Sequence, residues 1–173
     1  VEVVWTGPTS NDARFRRTDQ VLLDLITRTR RELLIVTFAA YKIRAIVDAI
    51  LDAAKRGVRI SFVVESAVEG KVAFDAIEAM GDSVAHATEV YYWREDQRER
   101  DASGRTGTMH AKCAVADRSS LLVSSANLTD FALNLNMELG LLIRGGNAGR
   151  EVAEHYDSLI RRNILAARSI EEN

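Results

Sequence analysis

The sequence has little of what disulfide or zinc chemistry needs. Cys113 is the only cysteine among 173 residues, so no internal disulfide can form and no cysteine cluster can hold zinc. A lone cysteine of this kind is typical of a small buried hydrophobe, and a chain without disulfides fits a reducing cytoplasm. Carboxylates are not clustered at metal-ligand spacing either. We therefore expect a cytoplasmic protein with no metal and no other cofactor.

The chain also lacks long apolar runs and a strong charge of either sign. No segment is long and apolar enough to cross a bilayer, and no signal peptide is visible, so we expect no membrane partner. The net charge is only −2, and any contact with nucleic acid must therefore come from a local basic patch.

The length fits one domain with a sizeable core over residues 1–173. It begins with Val1 rather than Met, which is compatible with a domain excised from a longer chain. The apolar pattern predicts strands over 2–5, 32–38, 58–64, 89–93 and 137–143, and helices over 20–29, 43–56, 71–80 and 148–167.

The alternation of strands and helices predicts an α/β fold. We expect a mixed, mostly parallel β-sheet flanked by helices on both faces, with a right-handed crossover over 32–64. Asp19 is expected to cap the first helix, and Gly57 and Gly81 are expected to end the second and third.

One run in the middle of the chain carries polar residues at fixed spacing. It reads H-x-K-x4-D-x6-S-S-x-N from His110 to Asn127. Apolar-rich segments over 109–116 and 120–125 flank the polar stretch 117–120, and this pattern predicts a β-hairpin.

The hairpin predicts that the polar side chains of this run share one face. With the turn centred after Arg118, Lys112 lies opposite Ser125. The same register places His110 opposite Asn127. Opposed residues of an antiparallel pair point to the same side, so these groups should converge unless the register slips by one residue.

The run resembles the HKD motif of the phospholipase D superfamily, H-x-K-x4-D-x6-[GS]-S-x-N, with Ser124 where glycine is common. The segment 136–140 (NMELG) resembles the family strand that carries an acidic residue, here Glu138, toward the catalytic histidine. Segments 4–8 and 16–22 resemble the phospholipase-D-like component of the bacterial DISARM anti-phage system. The resemblance implies the phospholipase D/nuclease fold.

The resemblance also implies a role for each motif residue. The expected catalytic residues are His110, Lys112, Asn127 and Glu138, the expected phosphate ligands are Lys112, Ser125 and Asn127, and Asp117 and Ser124 are expected to be structural. A neutral imidazole can attack phosphorus and form a phosphohistidine, while a second, protonated imidazole gives a proton to the leaving oxygen. Lysine, amide and hydroxyl donors stabilise the developing charge, and the acid would orient the histidine.

The chain supplies only one histidine in such a motif. His86 and His155 lie outside any comparable pattern, and we interpret them as surface or packing residues. The second catalytic imidazole must therefore come from another copy. Single-motif members of the family form dimers, so the resemblance implies a homodimer with one shared active site.

These observations predict a metal-independent phosphodiesterase, most simply a nuclease in anti-phage defence. DNA is favoured over RNA as substrate, and subunits of a defence complex are possible further partners. The candidate nucleic-acid-binding residues are Arg14, Arg16, Arg17, Lys42 and Arg44. The charged segment 94–105 leads into His110 and predicts a solvated loop that borders the site as a lid or substrate guide.

Two other functions remain open at this stage. Phospholipid hydrolysis or transfer would use the same chemistry but needs an interfacial apolar surface, and none is visible in the sequence. A non-catalytic subunit that binds nucleic acid or assembles a defence complex would use the fold as a scaffold, although the intact motif argues against lost chemistry.

Overall fold

The computed structural model describes residues 1–10, 14–41, 43–65 and 76–168. The strands in these residues are β1 (Glu2–Thr6), β2 (Arg16–Arg17), β3 (Glu32–Thr37), β4 (Arg59–Val64), β5 (Glu89–Trp93), β6 (Cys113–Ala116), β7 (Ser120–Ser124), β8 (Glu138–Arg144) and β9 (Leu165–Ala167). The α-helices are α1 (Thr18–Arg28), α2 (Arg44–Lys55), α3 (Ala76–Met80), α4 (Asp82–Ala87), α5 (Asp130–Asn134) and α6 (Ala148–Arg161).

The described strands form one mixed sheet in the order β2-β1-β8-β7-β6-β3-β4-β5-β9. The pairs β1–β2, β3–β4 and β4–β5 are parallel, and the five other pairs are antiparallel. The prediction of a mixed sheet is confirmed, but the prediction of mostly parallel pairing is wrong. The strand–helix–strand units cover only one half of the sheet, whereas β6, β7 and β8 form a meander, whose successive strands run antiparallel.

Helices cover both faces of the sheet, as predicted. Helices α1 to α5 pack on one face around residues such as Ile35 and Phe62. Helix α6 packs on the other face, where Ala153 meets Val115 and Leu121. Alternation along each strand sends successive side chains to opposite layers, which explains why apolar residues occupy both sides of the central strands.

Several element boundaries differ from the sequence prediction. Helix α1 begins after Arg17, and Asp19 lies in its first turn and binds Arg17 (Nε–Oδ1, 3.0 Å) rather than capping the helix. Helix α6 ends at Arg161, because Asn163 takes a left-handed conformation (φ 55°) and the chain returns as β9. The predicted helix over 71–80 is seen as α3, and residues 71–75 lie outside the described residues. Elements β2, α4, α5 and β9 were not predicted.

The β6–β7 hairpin differs by one residue from the predicted register. Cys113 pairs with Val123, so residues 117–119 form a three-residue turn. Asp117 and Arg118 both have positive φ values, of 50° and 56°, and aspartate tolerates this conformation better than most residues. The predicted two-residue turn is therefore wrong. His110 and Asn127 lie outside the paired residues, so the alternation of side chains along β6 and β7 does not determine which way they point.

Candidate active site

The motif residues other than Asp117 lie at the edge of the sheet where the parallel strands β3 and β4 end. Strand β6 runs antiparallel to β3 with Cys113 beside Val36, so the chain just before β6 lies at the carboxyl end of β3. Ligands bind at this edge in open α/β sheets. Lys112 is opposite Ser124, whose N–H donates to the Lys112 carbonyl (3.2 Å), and not opposite Ser125 as predicted.

His110 and Lys112 are placed side by side by irregular chain that precedes β6. The Lys112 Nζ lies 3.0 Å from His110 Nδ1 and donates to the His110 carbonyl oxygen at 2.8 Å. Partial burial lowers the pKa of Lys112, and the negative charge of Glu138 opposes that shift. The exposed imidazole of His110 therefore has the Lys112 ammonium beside it, and the His110 carbonyl holds that ammonium in place.

Phe38 is a site residue that the sequence analysis missed. Its ring centroid lies 5.2 Å from the His110 ring and 6.0 Å from the Lys112 Nζ. The apolar pattern assigned Phe38 to the buried strand over 32–38, but β3 ends one residue earlier. Its position directly after a parallel strand is the signal that could have identified it.

Glu138 binds the end of β7 rather than the His110 ring. Its carboxylate accepts a short hydrogen bond from the Ser125 hydroxyl and one from Asn136 Nδ2 at 3.2 Å. The Ser125 Oγ also accepts the Leu139 N–H at 3.1 Å. Among the described residues, no hydrogen bond joins Glu138 to His110, so the proposed orientation of the histidine by this acid stays a prediction.

Asn127, in the segment after β7, faces the α1–α5 layer: Leu22 and Leu133 line a cavity with it, and His110 does not. The Asn127 Oδ1 is buried and has no hydrogen-bond partner in the described part of the chain. Lys112, Ser124 and Asn127 line a small cavity of about 40 Å³ there. Buried amide oxygens are normally paired, and the described residues offer this acceptor no donor. Ser124 has a local structural contact, since its Oγ accepts the Ala126 N–H at 3.0 Å.

The exposed side of the site is an open groove of about 710 Å³ between the sheet and α6. His110, Lys112, Ser124 and Ser125 line one wall, and Glu151 and His155 of α6 belong to the other. His155, interpreted from the sequence as a surface or packing residue, is exposed, packs edge-on against Tyr156 at 5.9 Å, and faces the same groove as His110.

Asp117 lies at the opposite end of the hairpin from the motif histidine. Its carboxylate accepts three backbone N–H groups, from Arg30 (3.0 Å), Arg31 (2.7 Å) and Glu32 (3.1 Å). Partial burial tends to raise the pKa of Asp117, but the three N–H donors outweigh it and the pKa is lowered. The hairpin turn is thus fastened to the beginning of β3.

The predicted basic residues are distributed rather than gathered in one free patch. Three have acidic partners: Arg16 with Glu2 (3.4 Å) and Asp24 (3.3 Å), Arg17 with Asp19 (3.0 Å), and Arg44 with Asp48 (3.8 Å). Arg14 is exposed, and Lys42 lies outside the described residues. Their role toward nucleic acid stays a prediction.

Segment 94–105 is a folded loop whose charges largely satisfy one another. It contains a 3₁₀ turn (Glu95–Gln97). Three of its four arginines bind acids within the loop: Arg94 with Asp96, Arg100 with Glu95, and Arg105 with Asp101. The fourth, Arg98, points inward.

Two further properties concern the described residues as a set. They contain no group of three or more histidine, cysteine, aspartate or glutamate side chains that could hold a metal ion. They also contain no helix that is long and apolar enough to cross a membrane.

Residues 22–162 match the family model described as "Cardiolipin synthase, PLD-like domain". This chain belongs to the phospholipase-D-like family. The match covers most of the chain and confirms the resemblance that the motif indicated. Proteins of this superfamily are phosphodiesterases, nucleases, and lipid synthases or hydrolases.

The individual relatives of this phospholipase-D-like chain include a DISARM protein and a cardiolipin synthase. The DISARM protein DrmC of Bacillus paralicheniformis is 25% identical over 146 residues, which cover 84% of this chain and 57% of that protein. Cardiolipin synthase A of Yersinia pseudotuberculosis is 26% identical over 165 residues, covering 95% of this chain and 31% of the synthase. This chain therefore spans less than two thirds of either relative.

The fold is that of a solved phospholipase D family member. The crystal structure of Nuc from Salmonella typhimurium superimposes with a TM-score of 0.68 at 19% identity, covering 98% of this chain and 97% of Nuc. At this identity the likeness establishes the fold and leaves the activity to be argued from the site.

Proposed function

We propose that this chain is a metal-independent phosphodiesterase that cleaves nucleic acid, DNA in preference to RNA, through a phosphohistidine on His110 in an active site shared by two copies. The observation that carries the proposal is the Lys112 ammonium 3.0 Å from an exposed His110 ring on the wall of an open groove. A fixed cation beside an imidazole draws an anionic ester to the nucleophile and stabilises its transition state.

The contacts of Lys112 support a defined first step. An ammonium group only donates hydrogen bonds, so a phosphate oxygen in the groove would compete with the His110 ring for its hydrogens. A ring nitrogen would then bond to phosphorus as the bond to the leaving oxygen breaks. A second, protonated imidazole gives its proton to that oxygen.

The second step returns the enzyme to its starting state. Water bonds to phosphorus as the phosphorus–nitrogen bond breaks, and the second imidazole takes the proton from the water. The Nδ2 group of Asn127 and the hydroxyl of Ser125 are the further donors proposed to bind the phosphate oxygens. Ser125 can do so only when its one hydrogen leaves the Glu138 carboxylate. Of the other histidines, His86 lies in α4 within the helical layer on the far face, which leaves a second His110 or His155 as the second imidazole.

An exposed apolar face of the sheet supports a second copy of His110 as the partner. Val3, Leu141 and Val123 are neighbours across β1, β8 and β7, and their exposures are 41%, 42% and 44%. Leu139, beside Trp5, extends this face toward the site and is 56% exposed. We call these residues the β1–β8–β7 face. Contiguous exposed apolar patches mark interaction surfaces, and Val123 also lines the groove with His110.

The β1–β8–β7 face also favours a second candidate function. No interfacial apolar surface was expected from the sequence, because alternation on each single strand looks like ordinary half-burial. The face becomes visible only when the strands are paired. Together with the likeness to cardiolipin synthase A, it supports phospholipid hydrolysis or transfer by the same chemistry.

The likeness to DrmC supports a place in anti-phage defence. In that setting the chain would act on foreign nucleic acid together with other subunits. A non-catalytic role in such a complex, in which the domain only binds nucleic acid or assembles partners, is the third candidate. A cytoplasmic location stays part of the proposal.

A single panel of substrates separates these functions. Labelled single- and double-stranded DNA, RNA and phosphatidylcholine vesicles are incubated with the wild type and with His110→Ala in excess EDTA. We expect EDTA-resistant DNA cleavage that His110→Ala abolishes. Turnover of phosphatidylcholine alone would favour the lipid function, and nucleic-acid binding without turnover would favour the third. Activity lost in EDTA and restored by magnesium would contradict the metal-independent mechanism.

A further inference from the structure

The chain that leads to His110 is held by a buried ion pair instead of by a strand or helix. Residues 107–112 have no regular secondary structure. Glu65, which follows β4, accepts the Met109 N–H at 2.6 Å. Arg98 donates to the Gly107 carbonyl at 3.1 Å. The two side chains bind each other at 2.6 Å, so backbone groups on either side of residue 108 are fixed by one pair.

The burial of this pair is unusual for charged residues. Glu65 is 1% exposed and Arg98 is 6% exposed. Removing two charges from water is costly, and a buried ion pair is often no more stabilising than apolar residues of similar volume. The pair provides directed hydrogen bonds, because Arg98 donates to the Gly107 carbonyl and Glu65 accepts the Met109 N–H. Apolar residues could not form these bonds.

Further contacts make Arg98 a junction between three parts of the edge. Its guanidinium donates to the Trp93 carbonyl at 2.7 Å and lies 5.0 Å from the centre of the Trp93 ring. It thereby joins the end of β5 and the charged loop over 94–105 to the end of β4 through Glu65. Met109 itself is buried against Val36 and Val63, so the residue before His110 is fixed by both its backbone and its side chain.

We infer that Glu65 and Arg98 are positioning residues for His110. They set the position of the nucleophile through the backbone of Gly107 and Met109 and do not touch substrate themselves. The inference rests on the proposed function for its effect on rate. A displacement of about 1 Å at a reacting group can cost about 100-fold in rate. Loss of the contacts that Glu65 and Arg98 make with the backbone before His110 should therefore lower kcat.

The test compares Arg98→Met, Arg98→Lys and Glu65→Gln with Arg105→Met as the matched control. Arg105 also binds an acid, Asp101, but at the exposed surface of the same loop. Turnover of bis(p-nitrophenyl) phosphate is measured per folded molecule, alongside hydrogen exchange of the Met109 amide. We expect kcat to fall about 100-fold in Arg98→Met with KM changed little, and the Met109 amide to lose protection.

The conservative variants keep the test informative if Arg98→Met does not fold. A lysine at position 98 can bind Glu65, but it lacks the planar fork that lets arginine donate to the Gly107 and Trp93 carbonyls together. Arg98→Lys should therefore keep roughly a tenth of wild-type kcat. Glu65→Gln keeps an acceptor for the Met109 N–H and should lower kcat with less loss of protection. Wild-type kcat per folded molecule in both Arg98→Lys and Glu65→Gln would overturn the inference. A fall in kcat in the control Arg105→Met as large as that in Arg98→Met would also overturn it.

The two readouts distinguish this inference from the proposed function. A wild type that is inactive on every phosphodiester would contradict the proposed function, but hydrogen exchange would still report whether the pair fixes Met109. Unchanged protection of the Met109 amide in Arg98→Met would contradict the inference even in an active enzyme.

Discussion

At the scale of single residues, the site depends on how Lys112 keeps its charge beside His110. Burial lowers the pKa of Lys112, so its ammonium loses its proton at a lower pH than an exposed lysine would. Glu138 opposes the shift through its negative charge. The pH at which the site loses its cation is therefore set by the balance between burial and one carboxylate.

Removing the charge of Glu138 should lower the pKa of Lys112. Glu138→Gln leaves burial unopposed, so the ammonium should lose its proton at a lower pH than in the wild type. The measurement is an NMR titration of the Lys112 side chain, because an activity profile would first report loss of the protonated imidazole that serves as the acid. Glu151→Gln, in the α6 wall of the same groove, is the control and should leave the pKa of Lys112 in place. A Lys112 pKa that Glu138→Gln does not move would remove this acid from control of Lys112.

Loss of the ammonium itself should cost far more than a shift in pH dependence. Lys112→Ala removes the cation 3.0 Å from the His110 ring, and losing a donor aimed at developing charge costs roughly 10²–10³-fold in rate. Steady-state kinetics with and without added magnesium would measure this. We expect magnesium not to restore the rate, and a magnesium-dependent recovery would argue against the metal-free mechanism.

At the scale of elements, apolar periodicity predicted most strands and helices of the described chain, but not how the hairpin pairs. Strands β1, β3, β4, β5 and β8 and helices α1 and α2 lie within a few residues of their predicted positions. The hairpin register was wrong, because it depends on two consecutive left-handed residues at the turn, Asp117 and Arg118, which no apolar pattern encodes.

The same limit explains which site residues were missed. Phe38 and Glu65 follow β3 and β4 directly, and they approach His110 only because β6 pairs antiparallel with β3. A motif identifies residues that are close in sequence, whereas these contacts depend on strand order. The rule that ligands bind at the carboxyl ends of parallel strands would have pointed to both.

The Asp117 carboxylate should stabilise the hairpin in a pH-dependent way. Its folded pKa is lowered, so its contribution is complete above the unfolded value near 3.9 and is lost as the pH falls through the folded value. Asp117→Asn keeps an acceptor and tolerates positive φ but loses the charge, and we expect it to cost about 2 kcal/mol at neutral pH. Urea denaturation at a series of pH values from 7 down to 3 measures the free energy of unfolding of both proteins. The difference between Asp117→Asn and the wild type should become smaller as the pH falls. A constant difference over this range would show that the charge is unimportant.

At the scale of the whole molecule, one copy of the chain leaves two things incomplete. The proposed chemistry needs two imidazoles, and the β1–β8–β7 face leaves apolar side chains exposed next to the groove. A two-fold dimer uses the same surface from both copies and could meet both needs, because Val123 belongs to the face and also lines the groove with His110.

A charge placed on this face should therefore separate the copies and abolish turnover. Leu141→Asp lies at the centre of the β1–β8–β7 face, and we expect a monomer with a wild-type fold and little activity. Thr27→Asp, exposed on α1 in the opposite layer, adds the same charge and should remain an active dimer. Sedimentation and activity are measured on the same samples. An active monomer would contradict the shared site and would direct attention to His155 as the second imidazole.

The most direct test of the account is to trap the intermediate on His110. The enzyme is mixed with bis(p-nitrophenyl) phosphate in excess EDTA and quenched in alkali, and the peptide that contains His110 is examined by mass spectrometry. We predict a p-nitrophenyl phosphoryl group on His110 that is absent from His110→Asn and that disappears after the substrate is consumed. An active enzyme that carries no adduct on His110 under these conditions, or carries it on another residue, would contradict the mechanism.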